Sequence, residues 1–345
     1  MPAVCGRFLL GAVTLALLIP VVAEAAPRVC QDSADRPIVK PPAAPAGKPA
    51  VGASAETTAQ PDPARQTPDK PAKPLKVSPP LFPKHRRGLH KNGLGLWVID
   101  ATPQSPPLGI DDPGVPENGE YEINLTTFGD FSRDGKQFDL LHVDANYGLL
   151  PKFGNRELPT QLKFEVPLSG AKVNGQPMTT GVGDAELGLK LNFYNSAHHS
   201  IQVAFYQQIE FAIGSSKLDN GFAEPGQTLI FPLLVSKAMK YATIVVNGGV
   251  STPLHDHDRH VTGTFSFAAG MPVTRKFAVM AELKSETRLD FAHDRLLTAN
   301  VGLMRALGHR CLLYANVGHS LVSDDGMPHA YAGVGLKVLF KPGPG

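Results

Sequence analysis

The residue pattern predicts an all-β chain: an antiparallel transmembrane β-barrel of about twelve strands, preceded by a disordered Pro-rich segment. Three observations carry that expectation. Period-two alternation of apolar and polar residues runs from about residue 120 to 340. The connections between the alternating stretches sort by parity into short and long. The N-terminus has the layout of an export signal.

Residues 1–25 come first. Arg7 supplies a positive start, Phe8–Val22 an apolar core, and Ala23-Glu24-Ala25 a small-x-small cleavage site. Pro20 interrupts the end of an apolar run too short for a spanning helix. Cys5 would leave with the signal, so a secreted chain keeps Cys30 and Cys311. Two thiols in an oxidising compartment permit a bond, but sequence does not show that they meet.

Residues 26–92 read as a disordered Pro/Ala/Lys-rich linker. Lys40-Pro41-Pro42, Lys70-Pro71-Ala72-Lys73-Pro74 and Ser78-Pro79-Pro80 repeat with few apolar residues to bury, so ordering would lose entropy without compensation. Basic residues clearly outnumber acidic ones here, while the whole chain carries only +2. A basic arm therefore precedes a mildly acidic body. A solvated spacer is the default for such an arm, and contact with anionic envelope polymers or headgroups is the alternative. The near-neutral total excludes a global argument for nucleic acid. Residues 93–120 form a segment leading into the barrel, with a short apolar run at Leu94–Ile99 that suggests a strand.

The alternation is clearest at 201–211. Ile201, Val203, Phe205, Ile209 and Phe211 share one face, and Gln202, Tyr206, Gln208 and Glu210 the other. Leu162, Phe164, Val166 and Leu168 alternate with Lys163 and Glu165, and Leu187, Leu189, Leu191 and Phe193 with Glu186, Lys190 and Asn192. Strands are expected near 121–128, 137–147, 159–168, 183–194, 200–213, 227–237, 241–251, 260–272, 276–286, 295–305, 310–319 and 329–340. Connections near 195–199, 238–240, 273–275 and 306–309 are short. Those near 129–136, 169–182, 214–226, 252–259, 287–294 and 320–328 are longer, and 148–158 breaks the rule. Short turns at one end and long loops at the other describe an outer-membrane barrel. Closure also removes the open sheet edge that lipid cannot satisfy. The alternative is a soluble β-barrel or sandwich, whose strands alternate as well. The barrel spans 121–340, leaving a tail at 341–345.

Several segments resemble a known family. Asp111-Asp112-Pro113-Gly114-Val115-Pro116-Glu117-Asn118-Gly119-Glu120-Tyr121-Glu122-Ile123-Asn124-Leu125 resembles the lead-in of the outer-membrane barrels associated with the meta-cleavage pathway of phenol degradation (the MetA-pathway family). Gln161–Pro167, Gly181–Lys190, Gln208–Phe211 and Phe231–Lys237 follow in the same order. The likeness covers roughly 105–340. It implies an outer-membrane transporter barrel for small or aromatic compounds, and it offers no catalytic residues to carry over.

On the residues alone, the functional surface is the polar strand face. Lys163, Glu165, Glu186, Lys190, Tyr206, Gln208, Glu210, Glu282, Lys284, Asn300, Tyr314, Asn316 and Lys337 are expected to line the lumen, and mixed charges there bias permeation. His142, Asp144 and Asn146 share that face. Phe164, Phe193, Phe205, Phe211, Phe277 and Phe340 are expected to face lipid. His255, His257 and His260 form a weak metal-ligand pattern in a predicted external loop, where a solvated polar loop is the simpler account. His198-His199-Ser200 lies in a short turn with no fixed partner and makes no site. No phosphate-cradling loop, paired CxxC or nucleophile elbow is present, so no enzymatic activity and no cofactor are expected. Expected partners are outer-membrane lipid and small solutes. The function expected is a channel or transporter for small solutes; the alternative is a closed structural barrel whose loops bind partners.

Overall fold

The computed structural model describes residues 88–91, 96–132, 135–173, 177–213, 226–254, 260–290, 295–323 and 329–342. The predicted signal, Cys30, most of the Pro-rich linker, and His255 and His257 lie outside the described residues.

Among the described residues, seventeen strands follow in chain order: β1 Leu89–Lys91, β2 Trp97–Ile99, β3 Tyr121–Phe131, β4 Gly135–Leu149, β5 Lys152–Phe153, β6 Arg156–Glu157, β7 Thr160–Val173, β8 Thr179–Val182, β9 Asp184–Ser196, β10 Ile201–Ala212, β11 Gln227–Ala238, β12 Thr243–Leu254, β13 Thr262–Thr274, β14 Phe277–Arg288, β15 Leu296–Ala306, β16 Cys311–Ser323 and β17 Ala330–Phe340. No helix occurs among the described residues. β3, β4, β7 and β9–β17 are the staves of one antiparallel barrel. It closes where β17 pairs with β3, from Phe340↔Tyr121 to Ala330↔Phe131. β8 prolongs β9 against β7 across Gly183, so it adds no stave.

The twelve expected strands are present, but several run farther at the long-loop end. β4 and β7 reach 15 and 14 residues. The long loop expected at 129–136 shrinks to 132–134, because β3 and β4 keep pairing to Phe131↔Lys136. The irregular connection after β4 carries its own small hairpin, β5–β6.

The outer face is apolar. Phe193 (57 % exposed), Phe265 (56 %) and Val317 (61 %) point away from the barrel with Phe164, Leu187, Leu233 and Leu303. Tyr121, stacked on Phe340 at 5.0 Å and tilted against Tyr147 at 4.5 Å, forms with them part of an aromatic belt at the short-turn end. A register shift between Asp139 and Leu141 turns both Leu140 and Leu141 outward. That bulge lets Asp139 and His142, three residues apart, face the lumen together.

Residues 100–120 do not lie outside the barrel as a plain lead-in. They enter at the short-turn end, rise to mid-height at Pro106–Ile110, and descend on another side to β3. The hairpin β1–β2 seats at the mouth, where the Ile99 amide donates to the Arg275 carbonyl at 2.9 Å and Trp97 packs edge-on against His309 at 4.3 Å.

A barrel lumen stoppered by its own chain as candidate functional site

Two walls of different chemistry hold the inserted segment. The inner faces of β12–β17 are apolar over their lower half. Val245, Ala268, Ala278, Met280, Met304, Ala306, Leu312, Tyr314 and Leu339 form one buried cluster with Leu89 and Ile99 of the β1–β2 hairpin and Ala101, Leu108 and Ile110 of the stopper. Glycines on this face make room for the inserted chain. A Cβ at Gly270 would stand 2.1 Å from the Ala101 carbonyl oxygen, and one at Gly302 would stand 2.9 Å from Leu108. Gly148 does the same for the descending limb, with the Glu117 carbonyl 2.2 Å from its absent Cβ. Above the stopper tip, the Gly109 amide donates to Glu282 at 3.0 Å, and Asn300 donates to the same carboxylate at 2.8 Å.

The opposite wall, β3, β4, β7, β9 and β10, is charged. Lys163 Nζ sits between Glu165 and Glu186, 2.9 Å from the latter. Gln208 donates to Glu186 at 2.7 Å. His142 bridges Asp139 at 3.2 Å and Glu165 at 2.6 Å, and Ser169 donates to Asp139 at 2.7 Å. Asn124 and Asn146 both donate to Asp144 at 2.8 Å, and Gln161 extends the chain to Asn146. Buried charges in so many partnered contacts satisfy the rule that burial without partners is costly.

Side chains of this wall and of β12 reach across to the stopper. Lys190 Nζ donates to the Asp112 carbonyl at 2.9 Å, with Asp111 at 4.0 Å and the Tyr206 ring 4.6 Å away. Asn192 takes the Pro113 carbonyl and Asn247 the Asp111 carbonyl, both at 2.9 Å. At the seam, fully buried Lys337 pairs with fully buried Glu122 at 2.9 Å and donates to Gln104 at 2.7 Å.

All thirteen lumen candidates lie on the inward face of their strands. The structure divides them in a way that alternation did not predict. Lys163, Glu165, Glu186 and Gln208 belong to the wall network. Lys190, Glu282 and Lys337 hold the stopper, and Tyr206 lies under Lys190. Lys284 pairs with Glu286 at 2.5 Å. Asn300, Tyr314 and Asn316 border a cavity above the stopper, where Tyr314 shares a 2.6 Å hydrogen bond with Thr126. Glu210 is half-buried at the long-loop end, opposite Glu186. His260 is exposed, and among the described residues no His/Cys/Asp/Glu group could hold a metal ion.

Sequence reasoning missed Gln104, Glu122, Asn124, Asp144 as a network member, and the stopper itself. Its available signal was Gly148, Gly270 and Gly302, three inward positions without side chains.

The inserted chain borders two cavities. One of about 380 Å³ opens on the long-loop side, floored by Pro106, Pro107 and Leu108. The other, about 430 Å³, lies on the short-turn side between β2, the starts of β10 and β12 and the end of β11.

A closed twelve-stave antiparallel barrel, apolar outside and charged within, is the fold of a bacterial outer-membrane barrel. Among solved structures, the chain is similar to an outer membrane channel from Pseudomonas putida F1, with a TM-score of 0.57 at 12% identity, over 68% of this chain and 100% of that one. The KdgM porin in complex with oligogalacturonate is matched at a TM-score of 0.40 and 11% identity, over 64% of this chain and 99% of that one. NanC porin is matched at 0.42 and 7%, over 63% and 98%. No protein-family model matches the chain. No curated protein matches it either.

Proposed function

We propose that this barrel is a channel for small solutes in the outer membrane, and that residues 100–120 set its conductance. The observation that carries this reading is the pair of cavities, about 380 and 430 Å³, one bordered by Ser105–Gly109 and the other by Val98–Thr102 of the inserted chain. On both sides the inserted chain forms part of the cavity border. Displacing that segment would join the cavities into a lumen lined by both signs of charge. The resemblance to the phenol-pathway barrels supports small aromatic or hydrophobic solutes as the cargo. In this reading residues 1–25 direct export, and the basic 26–92 linker lies in the periplasm, where it can touch envelope polymers.

The proposed role is non-enzymatic. Ser169 donates to Asp139 and not to His142, so that Ser/acid/His grouping lacks the nucleophile–base bond that hydrolysis needs. A second reading, a closed structural barrel, is favoured by the number of bonds that fasten the stopper. Single-channel conductance of the refolded mature chain in a planar bilayer tests both, with heat-modifiable gel migration as the folding control. Discrete steps, enlarged by Gly302→Leu at the stopper contact, support the channel. An inserted barrel that stays silent in both forms supports the closed barrel.

A further inference from the structure

The two ends of the barrel carry opposite charge. Four short turns with their flanking strand ends, 195–200, 237–243, 273–277 and 305–311, hold six Lys and Arg and no Asp or Glu. The connections at the other end, 132–134, 174–178, 213–226, 255–261, 289–295 and 324–329, hold nine acids against four Lys and Arg. The six cations are Lys237, Lys240, Arg275, Lys276, Arg305 and Arg310, and all are exposed. Among the described residues, none of the six pairs with a carboxylate.

Their placement is a second, independent observation. Lys237 and Arg305 continue the outward apolar faces of β11 and β15, two residues beyond Val235 and Leu303. In register, Lys237 stands between Ile201 and Ile244, and Arg305 between Phe277 and Leu313. Both cations therefore lie on the lipid-facing surface, at its short-turn edge, and not in the lumen. Exposed apolar side chains share that edge: Tyr241 (73 % exposed), Met271 and Val273. Lys240 Nζ lies 4.8 Å from the Tyr241 ring centroid. Long cations at a membrane interface lay their stems on apolar surface and hold their charged heads just beyond it.

We propose that this rim binds anionic phospholipid, with headgroup phosphates on the cations and acyl chains on the apolar wall. The short-turn end of an outer-membrane barrel lies at the periplasmic face, where the leaflet is built of phospholipid. A phosphodiester offers acceptors, which match ammonium and guanidinium groups with donors to spare. The acid-rich opposite end would repel the same headgroups. A soluble anionic polymer is the poorer occupant, because Lys237 and Arg305 face sideways towards lipid. The inference goes beyond the channel reading and does not depend on conduction.

Electron spin resonance of chain-labelled lipids, in vesicles carrying the full refolded barrel, tests it. In phosphatidylcholine vesicles at low salt, labelled phosphatidylglycerol should associate with the barrel about three- to fivefold more strongly than labelled phosphatidylcholine. The preference should fall close to parity in about 1 M NaCl, where the screening length is about 3 Å. Lys237→Gln/Lys276→Gln/Arg305→Gln, shown folded by heat-modifiable migration, should reduce it at least about twofold at low salt. Lys237→Gln/Arg305→Gln should lower it in the same direction and serves where the triple variant does not fold. Lys172→Gln, exposed at the long-loop end, should leave it unchanged. Equal association of the two lipids with the wild type, an undiminished preference in a folded rim variant, or its loss in Lys172→Gln would overturn the proposal. So would a wild type without lipid preference that is retained on purified cell-wall sacculi through these cations, which gives the rim to an envelope polymer. A barrel that never conducts but keeps the preference loses the channel and retains the rim, whereas a conducting barrel without it does the reverse.

Discussion

The two walls of the lumen hold the same inserted segment by opposite means. Along β12–β17 the hold is largely shape: the missing side chain at Gly270 lets backbone approach backbone, the one at Gly302 makes room for the Leu108 side chain, and Met280, Met304 and Leu312 exclude water around Ala101 and Leu108. Along β9 the hold is polar, through Lys190 and Asn192 on the carbonyls of Asp112 and Pro113. A shape contact is indifferent to salt and fails when volume is added. A polar contact fails when one partner is removed, since the other is left buried without compensation. The stopper is therefore fixed along β12–β17 mainly by packing, to which Asn247, Glu282 and Lys337 add polar bonds, and along β9 by hydrogen bonds.

The largest effect is expected at the seam between the walls. Lys337→Ala strands the fully buried Glu122 carboxylate and should cost about 3–5 kcal/mol of barrel stability. Urea unfolding in detergent, followed by heat-modifiable migration, measures it. An effect under about 1 kcal/mol would mean that Glu122 is neutral or hydrated there.

Both walls share an outward face, which Val317→Arg probes. At a mid-strand position 61 % exposed, lipid predicts a loss of about 2–4 kcal/mol. Water outside the barrel predicts almost none, so unfolding from a bilayer distinguishes the two.

Gly270→Val attacks the packed wall. Its new carbons collide with the Ala101 carbonyl, and overpacking of about 1–3 kcal/mol should displace the stopper. Channel open probability would rise by about tenfold or more. Lys190→Met, on the polar wall, should loosen the stopper by about 1–3 kcal/mol, read as faster protease cutting within 100–120. If Gly270→Val speeds cutting while Lys190→Met does not, packing alone holds the segment.

The smallest effect is a change of selectivity. Glu165→Gln removes the acid shared by His142 and Lys163 and should lower the cation-to-anion permeability ratio by roughly twofold, measured as a reversal potential in a salt gradient.

The charged wall was more legible in the sequence than the packed one. Lys163, Glu165, Glu186 and Lys190 alternate with Leu and Phe, so their facing follows from the two-residue period of a strand. Met280, Met304 and Val245 are apolar on strands that are apolar outside as well, and a strand apolar on both faces carries no mark of which side a given residue takes. Asp139 faces inward only because of the bulge before Leu141, which breaks the period locally. The Leu94–Ile99 run does contain a strand, Trp97–Ile99, but its partner is β1 at the mouth and not the barrel sheet.

Sequence alone determined the all-β class, the number of staves, their facing on the charged side and the end at which the short turns lie. Each depends on local periodicity and turn length, which neighbouring residues encode. Only the tertiary structure decided that residues 100–120 fill the lumen. That placement depends on contacts between residues as far apart as Gln104 and Lys337 or Ala101 and Gly270, and no local pattern records which distant glycine leaves room for which carbonyl.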